Sequence, residues 1–214
     1  MKTPLPQYQR LRLRLRQTPA LHPFHKEALE AWKQGGCRGL VVLPTGSGKS
    51  LVGLEAIAHR GRSALVVTPT IVLMNQCYDL LCTHFDQEVG VLGGGYDHVE
   101  ELTVTTYDSA YLHLERYGNH FGLIHFDEVH HLPGKVYSHA AQMALAPYPL
   151  GLTATLERAD GRHALLPDLV GPLAHEQGIR QLSGEYLAEY RVEHRQVDMV
   201  VEEGAAYETA KAQY

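Results

Sequence analysis

The segment 43–50, with the sequence LPTGSGKS, constrains the fold of this chain more than any other stretch. An apolar run at 39–43 leads into it, and a helix-forming run at 51–58 follows it. A strand, a glycine-containing loop and a helix, in that order, are what a phosphate-binding loop needs. The strict motif has a further glycine where this sequence has Leu43, so a plain glycine turn is the alternative. The strand and helix patterns on either side favour phosphate binding.

The residue types in this loop have separate expected tasks. Gly46 and Gly48 let the backbone turn tightly and bring its N–H groups against phosphate oxygens. The start of the following helix adds the positive end of a dipole. Lys49 is expected to reach the β- and γ-phosphates, and the hydroxyl of Ser50 is expected to bind Mg²⁺. The predicted nucleotide-binding residues of the loop are Pro44, Thr45, Gly46, Ser47, Gly48, Lys49 and Ser50.

Short apolar runs alternate with helical patterns along the rest of the chain. Strands are predicted at 63–68, 102–107, 123–126 and 150–152, and a helix is predicted at 71–85. This alternation predicts an α/β fold, with a parallel central sheet and helices on both of its faces. Ligands of such sheets bind at the carboxyl ends of the strands, so polar motifs that follow strands can converge on one nucleotide.

An acidic pair, Asp127 and Glu128, directly follows the predicted strand at 123–126. A carboxylate at the tip of a buried strand can hold Mg²⁺, and the next carboxylate can orient and deprotonate an attacking water. A solvated acidic loop is the alternative, and the apolar strand before the pair argues against it.

The triplet Thr153, Ala154 and Thr155 follows the predicted strand at 150–152. Its small hydroxyl residues can hydrogen-bond to the acidic motif and transmit the state of the nucleotide. Taken alone, the triplet would be an ordinary strand end.

The histidines near these motifs fit other roles better than metal binding. His125, inside an apolar strand, is expected to be a satisfied core residue, and His130 and His131 lack HExxH spacing and are assigned to the acidic motif.

Composition indicates a globular chain without a strong positive electrostatic field that would attract nucleic acid. Of the 214 residues, 44% are hydrophobic and 20% are charged, and the net charge is −5. Nucleic-acid binding must therefore use a local basic strip and backbone donors. No apolar run is long enough for a transmembrane helix, and 1–6 lacks the apolar core of a signal peptide. The three cysteines are expected to be reduced thiols of a cytosolic protein.

The segment 10–16, RLRLRLR, alternates arginine with leucine. As a strand, it would place all arginines on one face and all leucines on the other. The functional interpretation is a phosphate-contacting edge or a link from an upstream domain. The alternative, which we favour, is an edge strand that its charges protect from aggregation.

Taken in order, the three motifs resemble those of the first RecA-like domain of a superfamily 2 helicase. Longer segments are similar to the XPB DNA-repair helicases, above all to archaeal and bacterial members, over about residues 20–214. These segments are TTYDSA at 105–110, FDEVHHLP at 126–133, GLTATLER at 151–158 and DGR at 160–162. The resemblance implies a RecA-like P-loop NTPase fold. It also implies an ATP-driven DNA translocase or helicase that opens duplex DNA in nucleotide excision repair.

The resemblance also implies roles for single residues. Catalysis would fall to Lys49, Asp127 and Glu128, and Mg²⁺ would be held by Ser50 and Asp127. Coupling residues would be His130, Thr153, Ala154 and Thr155. The residues that match DNA-contacting motifs of the family are Thr68, Thr70, Thr106, Tyr107 and Arg158. We expect mostly phosphate contacts there, with little base readout.

The implied cofactors are ATP and Mg²⁺. The implied partners are DNA, a second RecA-like motor domain and a repair nuclease, with no membrane, in a cytoplasmic, nucleoid-associated setting. The loop GGG at 93–95 is expected to lie beside the DNA path.

Two positions depart from the family pattern. His25 stands where the family has glutamine, in a segment similar to LRPYQ, and it is predicted to contact the adenine of the nucleotide. The family's Arg-Glu-Asp motif appears here as Arg158, Ala159 and Asp160, without the middle carboxylate.

Three regions are predicted: a basic segment at 1–20, a RecA-like ATP-binding domain at 21–200, and the start of a linker or helix to a second motor domain at 201–214. No stretch of the sequence resembles that second domain or its QRxGR motif, so we expect one motor lobe. The alternatives are a double-stranded DNA translocase, a restriction-type motor subunit, or a nucleotide-responsive binding module without catalysis. The intact Lys49, Ser50, Asp127 and Glu128 favour a motor.

Overall fold

A single eight-stranded sheet forms the centre of the fold, in the order β4-β3-β5-β2-β6-β7-β1-β8. The computed structural model describes residues 11, 13, 15–16, 19–134, 136–189 and 201–211. The strands are β1 (Gly39–Val42), β2 (Ala64–Thr68), β3 (Val89–Gly93), β4 (Tyr96–His98), β5 (Leu102–Thr106), β6 (Leu123–Asp127), β7 (Tyr148–Thr153) and β8 (Leu173–Glu176). All neighbouring strands are parallel except β3 and β4, which are antiparallel.

Helices cover both faces of the sheet, as the sequence pattern predicts. The helices are α1 (Pro23–Gln34), α2 (Lys49–Arg60), α3 (Ile71–His84), α4 (Tyr107–Tyr117), α5 (Tyr137–Met143), α6 (Leu166–Leu169), α7 (Ile179–Leu182) and α8 (Val201–Lys211). Short 3₁₀ turns lie at Val129–His131 and Arg162–Leu165. Helices α1, α2 and α3 pack on one face, and α4, α5 and α6 pack on the other. No described helix is long and apolar enough to span a bilayer.

The central strands are apolar on both sides because both of their faces are covered. Every residue of β1, β2 and β5 is buried, which is typical of strands in a parallel sheet between two helical layers. Trp32 of α1 is fully buried and donates its indole N–H to the carbonyl of Pro149 on β7 over 3.2 Å. Burial of such large side chains supplies the main stabilising free energy of the two cores.

The predicted strands before the three motifs are all present, whereas two edge strands were not predicted. The three residues of β4 are exposed, and the four residues of β8 are partly or fully exposed. Neither strand therefore has the apolar pattern that identifies a buried strand in a sequence. The predicted strand at 102–107 ends one residue earlier than expected. The side chain of Thr106 caps α4 by accepting the N–H of Ser109 over 3.2 Å.

The N-terminal arginine–leucine segment contacts the body of the domain through its leucines. Leu13 and Leu15 pack against the core, and Leu15 forms one antiparallel bridge with Phe85. Arg16 is exposed and forms a 2.6 Å ion pair with Asp86. The described residues make this bridge without forming a regular ladder strand. The other arginines of the prediction, at 10, 12 and 14, lie outside the described residues.

The strand order explains how distant motifs meet. Strands β6, β7 and β1 are direct neighbours, so the acidic pair, the threonine triplet and the phosphate loop follow three adjacent strand ends. The register pairs Val42 with Thr153 and Leu152 with Asp127. The three motifs therefore share the carboxyl edge of the sheet, as parallel strands require.

Candidate nucleotide site at the carboxyl edge of the sheet

The loop between β1 and α2 has the backbone that a phosphate-binding loop requires. Gly46 and Gly48 both have φ near +79°, a left-handed conformation that favours glycine. Leu43 donates its N–H to the carbonyl of Thr153 over 3.0 Å, which ties the loop to the end of β7. The loop then leads directly into the N-terminus of α2, where backbone N–H groups and the helix dipole favour an anion.

The side chains around this loop provide groups that suit a magnesium nucleotide. Ser47 is buried, and its Oγ has no hydrogen-bond partner among the described residues. An unsatisfied buried hydroxyl is costly and is expected to gain a partner when a ligand is bound. Ser50 Oγ and the Asp127 carboxylate supply the hard oxygen ligands that Mg²⁺ prefers. The residues present therefore fit the cofactors that the sequence predicts.

Lys49 lies between the loop and the acidic pair. Its Nζ is 3.6 Å from Oε1 of Glu128, and its side chain is only 10% exposed. A nearly buried ammonium with a partly buried carboxylate is screened less than a surface pair. Lys49 therefore neutralises part of the charge of Glu128.

Asp127 has an unusual proton affinity. Burial raises the pKa of its carboxyl from 3.8 to about 6, and the negative charge of Glu128 acts in the same direction. The positive charge of Lys49 and a hydrogen bond from the backbone N–H of Glu128 oppose this increase. A carboxyl in such surroundings gains from a divalent cation, which supplies the positive charge that the protein alone does not.

Glu128 is held in a left-handed backbone conformation, with φ 47° and ψ 55°. Only Cys37 and Glu128 combine a positive φ with a side chain among the described residues. Such a conformation is strained, and it persists where surrounding contacts fix it. Here it turns the chain sharply from β6 into the 3₁₀ turn. The Glu128 side chain then faces both Lys49 and His130.

The predicted coupling residues form one hydrogen-bonded group. Nδ1 of His130 lies 2.9 Å from Oγ1 of Thr153 and 3.5 Å from Oε2 of Glu128. The single hydroxyl proton of Thr153 has two acceptors, the carbonyl of Thr155 at 2.8 Å and Oε2 of Glu128 at 3.3 Å. When the hydroxyl donates to Thr155, His130 donates from Nδ1 to Thr153. Ala154 contributes no side-chain bond to this group and is partly exposed.

Arg158 fixes the loop after β7 against the acidic motif. Its guanidinium makes two bonds to the carboxylate of Asp160, at 3.0 and 2.8 Å, and donates to the carbonyl of His130 over 2.6 Å. The hydrogen bond from Arg158 holds the pKa of Asp160 well below its usual range. The arginine–aspartate contact therefore exists without a carboxylate at Ala159, which is exposed. A phosphate at Arg158 would have to share the guanidinium with these acceptors.

His25 joins the phosphate loop to the start of α1. Its Nε2 lies 2.6 Å from the carbonyl O of Ser47, and its Nδ1 accepts the backbone N–H of His22 over 3.2 Å. Because a carbonyl only accepts, Nε2 carries the proton and the ring is neutral; burial also lowers the pKa of His25. Both ring nitrogens are engaged with backbone. His25 thus supports the loop in this structure, and its contact with the adenine stays a prediction.

An aromatic group beside the loop was not predicted from the sequence. The ring of His22 is exposed and lies 4.9 Å from the ring of Tyr186 and 5.5 Å from that of Phe24. Leu187, next to Tyr186, lies beside Gly46 of the loop. Residues far apart in sequence build this group. His22 belongs to the segment similar to LRPYQ, but no pattern marks Tyr186, so sequence reasoning had no signal that the two rings meet.

The predicted DNA-contacting residues follow β2 and β5 at the same edge. Thr70 is exposed, and its hydroxyl caps α3 by accepting the N–H of Leu73 over 3.3 Å. Thr68, Thr106 and Tyr107 are 1%, 6% and 1% exposed, respectively. The hydroxyl of Tyr107 donates to the carbonyl of Asp127 over 3.0 Å. Contact of these residues with DNA stays a prediction.

Comparison with known proteins places this geometry in a family. A family model described as "Type III restriction enzyme, res subunit" (ResIII) matches residues 12–158. The chain belongs to the ResIII family. The matched range of the ResIII chain contains the phosphate loop, the acidic pair and the threonine triplet.

Individual relatives of the ResIII chain carry XPB names, which confirms the resemblance noted in the sequence. A protein of Sulfurisphaera tokodaii named DNA 3'-5' translocase XPB2 is 44% identical over 188 residues, which are 88% of the chain and 43% of the relative. A protein of Kineococcus radiotolerans named DNA 3'-5' helicase XPB is 33% identical over 204 residues, covering 90% of the chain and 36% of the relative. The chain thus spans less than half the length of either.

Solved structures support the RecA-like α/β fold. The Hef helicase domain of Pyrococcus furiosus aligns with a TM-score of 0.59 and 23% sequence identity. The alignment covers 72% of the ResIII chain and 37% of the Hef chain. At this level of identity the likeness concerns the fold alone.

Proposed function

We propose that the chain is the nucleotide-binding lobe of an XPB-type motor that uses ATP and Mg²⁺ to move on DNA. The observation that carries this proposal is the junction of three adjacent strand ends. There Lys49, Glu128 and Thr153 lie within one connected set of contacts. The names of the relatives, which include a 3'-5' translocase and a 3'-5' helicase, support the proposal of a DNA motor.

The phosphates would lie across the loop at the N-terminus of α2, where the first backbone N–H groups of the helix favour an anion and Lys49 supplies a positive charge. Ser50 and Asp127 would hold Mg²⁺, which neutralises charge on the phosphate oxygens when it is bound. His22 and Tyr186 offer ring faces beside the loop on which an adenine can stack.

Glu128 would orient the attacking water and take its proton. Its carboxylate contacts Lys49 and the His130–Thr153 group. Departure of Lys49 toward the phosphates would release one oxygen of Glu128 and leave the other on Thr153. This exchange links the state of the nucleotide to the loop after β7, and through Arg158 to the surface of the lobe.

DNA would run along the rim formed by the starts of α3 and α4. Both helix N-termini lie at this edge and are capped by Thr70 and Thr106. With a net charge of −5, the chain would hold phosphates mainly by helix N-termini and backbone donors. Binding of this kind has little sequence specificity and weakens with added salt.

A second motor domain would complete the cleft in the whole protein. An arginine contributed by a partner raises the rate of phosphoryl transfer by about 10³–10⁵ in related chemistry. Without a second motor domain the cleft would stay open to water, and the water would weaken each charge interaction in the cleft. The 214-residue chain alone should therefore bind nucleotide and hydrolyse it very slowly.

Movement on DNA and strand separation can be distinguished in the whole two-lobed protein. A translocase displaces a third strand from a DNA triplex without opening the duplex, whereas a helicase separates a forked duplex. We expect triplex displacement driven by ATP. Loss of displacement on Lys49→Ala, with Lys33→Ala as the control on a lysine that pairs with Glu30 outside the loop, would support the proposal. Displacement that continued in Lys49→Ala would contradict it.

A further inference from the structure

Three metal-ligating side chains meet at the amino edge of the sheet, the edge opposite to the candidate nucleotide site. Glu88 directly precedes β3, His98 ends β4, and Glu100 lies in the short connection from β4 to β5. One ligand atom from each of these side chains lies within 4.8 Å of the other two. Among the residues that the structure describes, no other three histidine, cysteine or acidic side chains come so close together.

The spacing of the ligand atoms suits a single small ion. Nε2 of His98 lies 3.8 Å from Oε1 of Glu88 and 3.0 Å from Oε1 of Glu100. A tetrahedral zinc ion with bonds of about 2.0–2.1 Å holds its ligand atoms about 3.3–3.4 Å apart. The two observed distances lie on either side of that separation, so small rotations of the three side chains are enough to reach it.

The donor set distinguishes this group from an ordinary acidic surface. Mg²⁺ and Ca²⁺ prefer oxygen ligands, whereas an imidazole nitrogen together with carboxylate oxygens suits zinc and related transition ions. The side chains of Glu88 and His98 are 70% and 54% exposed, and that of Glu100 is 35% exposed. An ion can therefore enter from solvent, and water can take the position that three protein ligands leave open.

The backbone that carries the ligands is fixed by contacts that do not involve their side chains. The hydroxyl of Thr103 on β5 accepts the N–H of Glu100 over 3.0 Å and donates to its carbonyl over 2.7 Å. Strand β3 passes so close that a Cβ on Gly90 would lie 2.5 Å from the carbonyl oxygen of His98. His98 also pairs with Val91 in the antiparallel ladder. Because these contacts set the ligand positions in advance, little ordering is left for the ion to impose.

Strand β4 has a weak attachment that an ion at this place would strengthen. All three of its residues are exposed, and its one partner in the sheet is β3. An edge strand with few buried apolar contacts opens locally at a low cost in free energy. A cross-link at the end of β4 would oppose that opening.

We propose that Glu88, His98 and Glu100 bind one Zn²⁺ ion, with water as a further ligand, and that the ion fastens β4 to the amino ends of β3 and β5. The site lies at the other edge of the sheet from Lys49 and Asp127, so the proposal does not depend on nucleotide binding.

Zinc binding is measured on the whole chain at pH 7.5, by competition with a chromophoric chelator in the presence of excess Mg²⁺. The Mg²⁺ occupies sites that consist of oxygen ligands alone. We expect one tight zinc site per chain. His98→Ala should weaken this site at least about tenfold, because even the loss of an outer partner of a metal ligand costs about 10–100-fold in affinity. Glu88→Gln and Glu100→Gln should weaken it as well.

Matched variants identify adventitious binding. His139→Ala removes an exposed histidine of α5, and Glu101→Gln changes the carboxylate next to Glu100 in the sequence; neither residue belongs to the group. Both variants should bind zinc as the unaltered chain does. Absence of a tight zinc site, unchanged zinc affinity in His98→Ala, or an equal loss in His139→Ala would overturn the proposal.

Amide hydrogen exchange tests whether the ion fastens β4. At a free zinc concentration of about 100 times Kd, exchange through openings that release the ion should slow about 100-fold at β4 and at the facing part of β3. Exchange in α2, at the nucleotide site, should stay the same. In His98→Ala, zinc should have no effect on β4. Protection that appears only outside β3 and β4 would overturn the proposed link between them.

Discussion

Replacing Asp127 by asparagine is expected to stabilise the nucleotide-free chain at neutral pH. The pKa of Asp127 is about 6 in the folded chain, against 3.8 for a free side chain. At about 1.4 kcal/mol for each pKa unit, the charged carboxylate costs the folded state up to about 3 kcal/mol. Asparagine keeps the shape of the side chain and removes the charge. The free energy of unfolding should therefore rise by about 2–3 kcal/mol at pH 7.5.

The pH dependence of the unfolding free energy follows from the direction of the Asp127 pKa shift. Because the folded pKa lies above the unfolded one, the carboxyl does not destabilise the fold below pH 4. The penalty grows as the pH rises from about 4 to 6 and is complete above that range. The difference between Asp127→Asn and the unaltered chain should thus be large at pH 7.5 and near zero at pH 4. Titrating groups that do not interact with Asp127 are common to both proteins and cancel, and Glu128 and Lys49 are the two charged side chains that do interact with it.

Urea denaturation followed by the fluorescence of the single tryptophan provides the assay. The midpoint should shift without a change in the slope, because the surface exposed on unfolding stays the same. Asp79→Asn serves as the control, since Asp79 is an exposed carboxylate on α3 and its replacement should change the unfolding free energy by less than about 0.5 kcal/mol. Equal stability of Asp127→Asn and the unaltered chain at pH 7.5 would refute the reasoning.

Three further changes test other contacts of the site. Gly53→Ala places a Cβ against the ring of His125 and should lower the free energy of unfolding by about 1–3 kcal/mol, measured in urea. If the losses of Gly53→Ala and His125→Ala simply add in the double variant, this contact is not the cause. Thr153→Val removes the hydroxyl between Glu128 and His130; nucleotide binding should persist while hydrolysis by the two-lobed protein falls, and an unchanged rate would exclude coupling through Thr153. Glu128→Gln should hardly change the slow hydrolysis of this chain alone but nearly abolish turnover in the two-lobed protein, and full turnover there would rule out Glu128 as the base.

The arrangement of the site was predictable because parallel strands place their carboxyl ends at the same edge of a sheet. Three short buried strands, each followed by a polar motif, were enough to place Lys49, Asp127 and Thr153 at one edge of a sheet. The burial of His125 also followed from its apolar neighbours, whereas the expectation that it is satisfied was wrong for Nε2, which has no hydrogen-bond partner among the described residues. These inferences need only the alternation of strands and helices and the rule that parallel strands present their carboxyl ends together.

Other features depend on contacts that no local pattern records. Tyr107 lies one residue beyond a strand at the predicted rim, yet its ring turns into the core and its hydroxyl supports Asp127. His25 turns toward Ser47 because the backbone N–H of His22 and the carbonyl of Ser47 together fix its ring.

The central claim is that the three motifs form one site for a magnesium nucleotide, and calorimetric titration of the chain with ATP and Mg²⁺ tests it most directly. We expect one nucleotide per chain, binding that is lost in Lys49→Ala, and binding that is unchanged in Lys33→Ala, whose side chain pairs with Glu30 away from the loop. Omission of Mg²⁺ should weaken binding in the unaltered chain more than in Asp127→Asn, because only the unaltered chain has the carboxylate ligand. Lys49→Ala binding ATP with the affinity of the unaltered chain would contradict the claim.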